Sequence, residues 1–117
     1  MTGAFGPFAL TVAMTGRALI VHACGGVDMA GVGTASAELL DAAATLPPPD
    51  LIVLNLVGVS FFSAAAAHTV RSFAASCAER GIRTHLVVDP GSITAQVVSL
   101  AGLDESLPTF SSVDQAL

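Results

Sequence analysis

Along the chain, short apolar runs alternate with longer alanine-rich stretches, and glycine, proline or a small polar residue closes each one. Residues 8–14 and 17–24 are rich in β-branched and aliphatic side chains, which predicts two strands, with Thr15-Gly16 as a hairpin turn between them. Gly25-Gly26 is expected to end the second strand, and Asp28 or a neighbour to open a helix. Residues 30–46 are rich in alanine and leucine, with Leu39, Leu40 and Ala43 spaced to form one apolar stripe. Pro47-Pro48-Pro49 stops that helix, because proline has no N–H to continue it.

Residues 51–56 form a nearly unbroken apolar run, the pattern of a strand buried on both faces in the middle of a parallel sheet. A loop over 57–62 is expected to lead into a helix over 64–80, with Val70, Phe73 and Cys77 at helical spacing. Ser63 is placed to cap it by accepting the N–H of Ala65 or Ala66, and Gly81 stands where a C′ glycine belongs. Of the adjacent Phe61 and Phe62, an extended backbone sends one to the core and the other away from it. Residues 82–88 form the next strand, ended by Asp89-Pro90-Gly91. Ser92 caps a helix to about Ala101 with Ile93, Val97 and Leu100 on one face, and Gly102 ends it. A short strand at Thr109-Phe110 precedes a terminal helical turn capped by Ser112.

The resulting order is β-β-α-β-α-β-α-β-α. Strands alternating with helices predict an α/β fold with a mostly parallel sheet of about five strands and about four helices. The opening hairpin makes the sheet mixed. At 117 residues the chain is read as one domain, residues 1–117.

Composition narrows the function classes. The chain is 53% hydrophobic and 11% charged, so a core is easily filled and apolar surface is left for a partner or for self-association as a homodimer. No apolar run reaches the ~18 residues of a membrane span, and no basic leader opens the sequence, which reads as cytoplasmic without membrane insertion. Four arginines, no lysine and nine acids give a net charge of −5, so no basic stripe marks a nucleic-acid partner. Cys24 and Cys77 lack CxxC spacing and read as small buried hydrophobes. His22, His68 and His85 lack metal-ligand spacing, with His22 and His85 expected in strands. Nothing resembles a catalytic constellation or a phosphate loop, so neither enzyme activity nor a cofactor is expected.

Residues 51–70 read LIVLNLVGVSFFSAAAAHTV. This resembles the STAS family (sulfate transporter and anti-sigma factor antagonist), in which a strand ending Asp-Leu-Ser-Gly-Val leads to Phe-x-Asp-Ser-Ser-Gly-Leu. Gly26-Val27-Asp28 resembles the family's segment before the first helix, and Ala101-Gly102-Leu103-Asp104 its Gly-Leu-Asp. Residues 110–117 resemble its last helix start. Four matches in order, over nearly the whole chain, make the resemblance specific. It implies a STAS-like single domain. It also implies a bacterial anti-sigma factor antagonist that docks on an anti-sigma factor of the serine-kinase type through the loop and helix at 58–70.

The departures concern the switch. The family's strand Asp falls on Asn55 and its motif Asp on Ser63. Its phosphoacceptor Ser falls on Ala64, the next Ser or Thr on Ala65, and its Gly on Ala66. Alanine has no hydroxyl, so the phosphorylation that the resemblance implies cannot occur at Ala64, and the −1.5 to −2 charge it would bring (about that, at neutral pH) is absent. Ser60 and Ser63 are the neighbouring hydroxyls, and Ser63 is the substitute acceptor. The expected partner-binding residues are Asn55, Gly58, Ser60, Phe62, Ser63, Ala64, Ala65, Ala66 and His68. The alternatives are a STAS accessory subunit of a transporter ATPase, where phosphorylation plays no part, and a ligand or nucleotide sensor at the strand ends, for which Arg71 is the nearby cation.

Overall fold

The computed structural model describes residues 9–27, 32–44 and 48–117. Asp28, the expected helix start beside it, and Pro47 lie outside them, as does the side chain of Phe61.

The opening hairpin forms as β1 (Ala9–Thr15) and β2 (Ala18–Val27), antiparallel, with Thr15 opposite Ala18. The turn is therefore Gly16-Arg17, one residue later than expected, with Gly16 at φ 59°. That angle is left-handed, which glycine adopts without a Cβ clash. After α1 (Val32–Ala43) comes β3 (Leu51–Phe62), parallel to β2. Helix α2 (Ala64–Glu79) leads to β4 (Arg83–Val87), parallel to β3. Then follow α3 (Ile93–Leu100), α4 (Leu103–Ser106), the two-residue β5 (Thr109–Phe110) parallel to β4, and α5 (Val113–Ala116). The sheet order is β1-β2-β3-β4-β5, a mixed, mostly parallel α/β sheet as expected. The short α4 is a fifth helix beyond the four in the sequence-based order.

The core lies on both faces of the sheet. Leu19, Val21, Ile52, Leu54 and Leu86 point to the side covered by α1, α2 and α3, where they meet Leu39, Val70, Phe73 and Val98. Ala18, Ile20, Leu51, Val53 and Val87 point to the other, where Ala116 of α5 packs. Leu51 to Leu54 are all buried, which accounts for the unbroken apolar run.

Two expectations about element ends fail for one reason. Gly25-Gly26 does not end β2, and 57–62 is not a loop. The two segments pair with each other, Gly25 opposite Val59 and Gly26 opposite Phe61. Register shifts fall between His22 and Cys24 and between Gly25 and Gly26. Each gives β3 one residue more than β2 and breaks the two-residue alternation on which strand reading depends. Leu54, Leu56 and then Val59 face the core, while Val57 is half exposed.

Three packing expectations also change. The stripe Ile93, Val97 and Leu100 of α3 faces inward only at Val97, which packs against the core, while Ile93 is 73% and Leu100 88% exposed. Thr94 and Val98 are the buried pair. The turn at Gly102 (φ 75°) sends Leu103, not Leu100, into the core. In α1, Leu39 and Ala43 are buried while Leu40 turns outward. Cys24 is exposed and only Cys77 is buried, both as free thiols. Burial pushes the Cys77 thiol up, partly offset by the neighbouring Thr84 and the charge of Arg80.

At the opposite end of the strands, Arg17 precedes β2 and Asp50 precedes β3. The Arg17 Nε–H donates to Asp50 Oδ2 at 2.6 Å and an Nη2–H to Oδ1 at 3.0 Å, while the Asp50 N–H donates to the Arg17 carbonyl at 2.9 Å. The guanidinium bonds hold the Asp50 carboxyl below its usual range, with Arg83 adding to the effect. A lowered carboxyl contributes stability that is complete above the ordinary carboxylate range and is lost as pH falls through the folded-state value. Asp50→Asn is therefore expected to flatten the acid limb of a stability-against-pH curve, measured by urea unfolding, while leaving the neutral-to-alkaline slope unchanged.

Candidate functional site

The site is built where β3 hands over to α2. Asn55 sits at the first register shift. Its Oδ1 accepts the Val57 N–H at 3.1 Å, which closes a local turn over the extra residue, and its Nδ2 lies 2.9 Å from His22 Nδ1 on β2. A backbone N–H can only donate, so the oxygen must face Val57 and the amide NH2 must face the ring. His22 Nδ1 is then an acceptor, and the neutral ring carries its hydrogen on Nε2.

Gly58 follows the bulge inside the strand, not beyond its carboxyl end. A Cβ placed on it would lie 3.1 Å from the Ala23 carbonyl oxygen and 3.2 Å from Cys24 Cβ. Its role is close approach of β2 and β3, since its φ is not in the left-handed region. Val59 is tied to α3, whose buried Thr94 hydroxyl donates to the Val59 carbonyl at 3.5 Å.

Ser63 ends the strand with φ −85° and ψ 167°, and its Oγ accepts the Ala66 N–H at 3.1 Å. This is the expected cap. No acidic residue lies in the first turn of α2, so a neutral hydroxyl and no carboxylate meets the positive end of the helix dipole. Ala64 and His68, four residues apart on one helix face, are both exposed, and Ala65 is half buried. Ala66 and Ala67 are buried. The alanine run thus splits, its first half on the surface and its second packed into the core.

Of the nine expected contact residues, Gly58, Ser60, Ala64 and His68 are exposed, and Asn55, Ser63 and Ala65 are half buried. Phe62 and Ala66 are corrections: both are core side chains, 4% and 2% exposed, and offer a partner no surface. The second register shift, before Phe61, returns Phe62 to the inward face, in the core cluster with Ala66 and Val70 of α2. Arg71 donates to the Ala101 carbonyl at the end of α3. Among the described residues no group of three potential metal ligands comes together, and no helix is long and apolar enough to cross a membrane.

Sequence reading missed His22 and Thr94 as parts of this end of the molecule. Each acts on a residue more than thirty positions away, His22 on Asn55 and Thr94 on Val59. No local spacing signals such a partner.

The STAS domain model matches residues 9–116. The chain belongs to the STAS domain family. Among curated proteins it is similar to the anti-sigma-F factor antagonist RsfA of Mycobacterium tuberculosis, 30% identical over 100 residues that span 86% of this chain and 77% of that one. Among solved structures it shares its fold with an anti-sigma factor antagonist from Mycobacterium paratuberculosis at a TM-score of 0.79. That match has 18% identity over 94% of this chain and 91% of that one. The unphosphorylated form of the anti-sigma factor antagonist SpoIIAA matches at 0.73, with 19% identity over 92% of each chain.

Two substitutions check the construction of the STAS site by urea unfolding. Ser63→Ala should cost about 1 kcal/mol, whereas Ser63→Asp should keep the cap and add a favourable charge at the helix start. Gly58→Ala should cost about 1–3 kcal/mol, because a Cβ there presses on β2 backbone.

Proposed function

We propose that this STAS domain is an anti-sigma factor antagonist that docks on an anti-sigma factor of the serine-kinase type. It does so through the exposed junction of β3 and α2 and carries no phosphorylation switch at that face. The observation that carries this reading is Ala64. It is exposed on the first turn of α2, beside the Ser63 cap, at the position where the family motif has its phosphoacceptor serine. The helix start on which a partner would rest is kept, and the hydroxyl that would accept phosphate is gone.

The contact surface in this reading is Gly58, Ser60, Ala64, Ala65 and His68, with Asn55 and Ser63 shaping it from beneath. A small, uncharged helix start lets a partner approach closely and desolvates little polar surface. The domain works as a binding protein and not as an enzyme, with regulation by its abundance in place of phosphorylation. The antagonist names of the sequence relatives support this over an accessory subunit of a transporter ATPase.

The test is to mix the purified protein with each serine-kinase-type anti-sigma factor of its source organism, with and without ATP. A complex that survives ATP, with no phosphate on Ser60 or Ser63 by mass spectrometry, is expected. Ala64→Glu, which mimics part of the missing charge, should weaken that complex by about tenfold or more. Stoichiometric phosphate on either serine would overturn the absence of a switch, and failure to form a complex with any of these anti-sigma factors would overturn the partner.

A further inference from the structure

We propose that His22, Asn55 and the Val57 amide form a proton-sensitive latch that fixes the bulge of β3 while the ring is neutral and releases it when the ring is charged. Hydrogen-bond bookkeeping leads to this. With His22 neutral, the Asn55 side chain satisfies two neighbours, donating from Nδ2 to His22 Nδ1 and accepting the Val57 N–H on Oδ1. A proton taken from solvent onto Nδ1 turns that acceptor into a donor, and two donors then face each other. Rotating the amide by half a turn offers Oδ1 to the ring but sets the NH2 against the Val57 N–H. Either way one of two bonds is lost, because the amide's single oxygen can face only one of the two neighbours and both now donate.

Few other groups compete for that role. The strand sequences ALTVAMT of β1, ALIVHACGGV of β2 and LIVLNLVGVSFF of β3 contain no acidic, lysine or arginine residue. Around the ring on its own sheet face stand Thr11 opposite on β1, Ile20 and Cys24 along β2, and Asn55 on β3. Cys24 is the other titratable group among these, and its thiol lies 3.7 Å from the Ala9 carbonyl. On β4, His85 has its Nδ1 2.8 Å from the Ala116 carbonyl of α5, which requires a hydrogen on Nδ1 in either charge state. Arg83 lies opposite Leu51, near the far end of β3. The charged residue of α5 is Asp114, which is exposed, and α5 packs on β3, β4 and β5.

The consequence is local: protonation frees the turn at Val57 and with it the register that places Gly58 against β2. The latch requires no docking partner, so it stands or falls apart from the function proposed above.

The test is amide hydrogen exchange at Val57, read by NMR as a protection factor between about pH 8 and pH 5, beside the ring nitrogen shifts of His22. In the wild type the neutral ring should show its hydrogen on Nε2, and Val57 protection should fall about fivefold as the ring titrates. In Asn55→Asp two acceptor oxygens serve both donors, so protection at Val57 should rise as the ring charges. In His22→Gln the step over this range should vanish. Val57 protection that is flat across the His22 titration, or that falls equally in the Asp variant, would overturn the latch, as would a neutral ring with its hydrogen on Nδ1.

Discussion

One side-chain amide sets the geometry of the whole upper end of the sheet. Asn55 bonds the Val57 N–H in its own strand and the His22 ring in the next, and so fixes where β3 takes its extra residue relative to β2. After that shift, inward and outward positions exchange: Val59 goes to the core, and Gly58 comes against the Ala23 carbonyl. A second shift follows before Phe61, and the chain reaches Ser63 extended, in the conformation that an N-cap requires. The start of α2 is therefore held in place by a chain of backbone constraints that begins at Asn55. Thr94 braces the same end from α3 through the Val59 carbonyl.

The surface proposed for docking owes its shape to that placement and to small side chains, not to charge. Ala64 and Ala65 give the first turn of α2 a low profile, and Ser63 supplies the capping oxygen without the carboxylate of the family motif. Asn55 likewise works through a neutral amide. Both side chains make hydrogen bonds that shape the backbone without an ionisable group. The Asn55 amide adds a sensitivity that a carboxylate lacks, because it cannot accept from a charged His22 and from Val57 together.

Much of the fold was legible because helix ends and strand cores follow local rules. Ser63 and Ser92 cap as their positions predicted, and Gly81 and Gly102 take the left-handed angles at helix ends. The buried run at Leu51 to Leu54 marked the central strand. What failed depended on distant partners. The continuation of β2 through Gly25-Gly26 and of β3 through Phe62 arises from pairing between the two, which glycine's low strand preference and a broken alternation conceal. Ile93 and Leu100 share helical spacing with Val97 but lose the core to Thr94, Val98 and Leu103, because the Val59 carbonyl and the Gly102 turn set the rotation of α3. At the site, Ser63, Ala64 and His68 were placed correctly on the helix start, whereas Phe62 and Ala66 proved to be its foundation.

The most direct measurement of the proposed docking face is a hydrogen-exchange footprint of the domain free and bound to an anti-sigma factor of the proposed type. Protection concentrated at residues 57–68, with β1, the Arg17–Asp50 end and α5 unchanged, is the expected result. Protection centred on α5 or on the Arg17–Asp50 end, with the α2 start left as exchangeable as in the free domain, would contradict it.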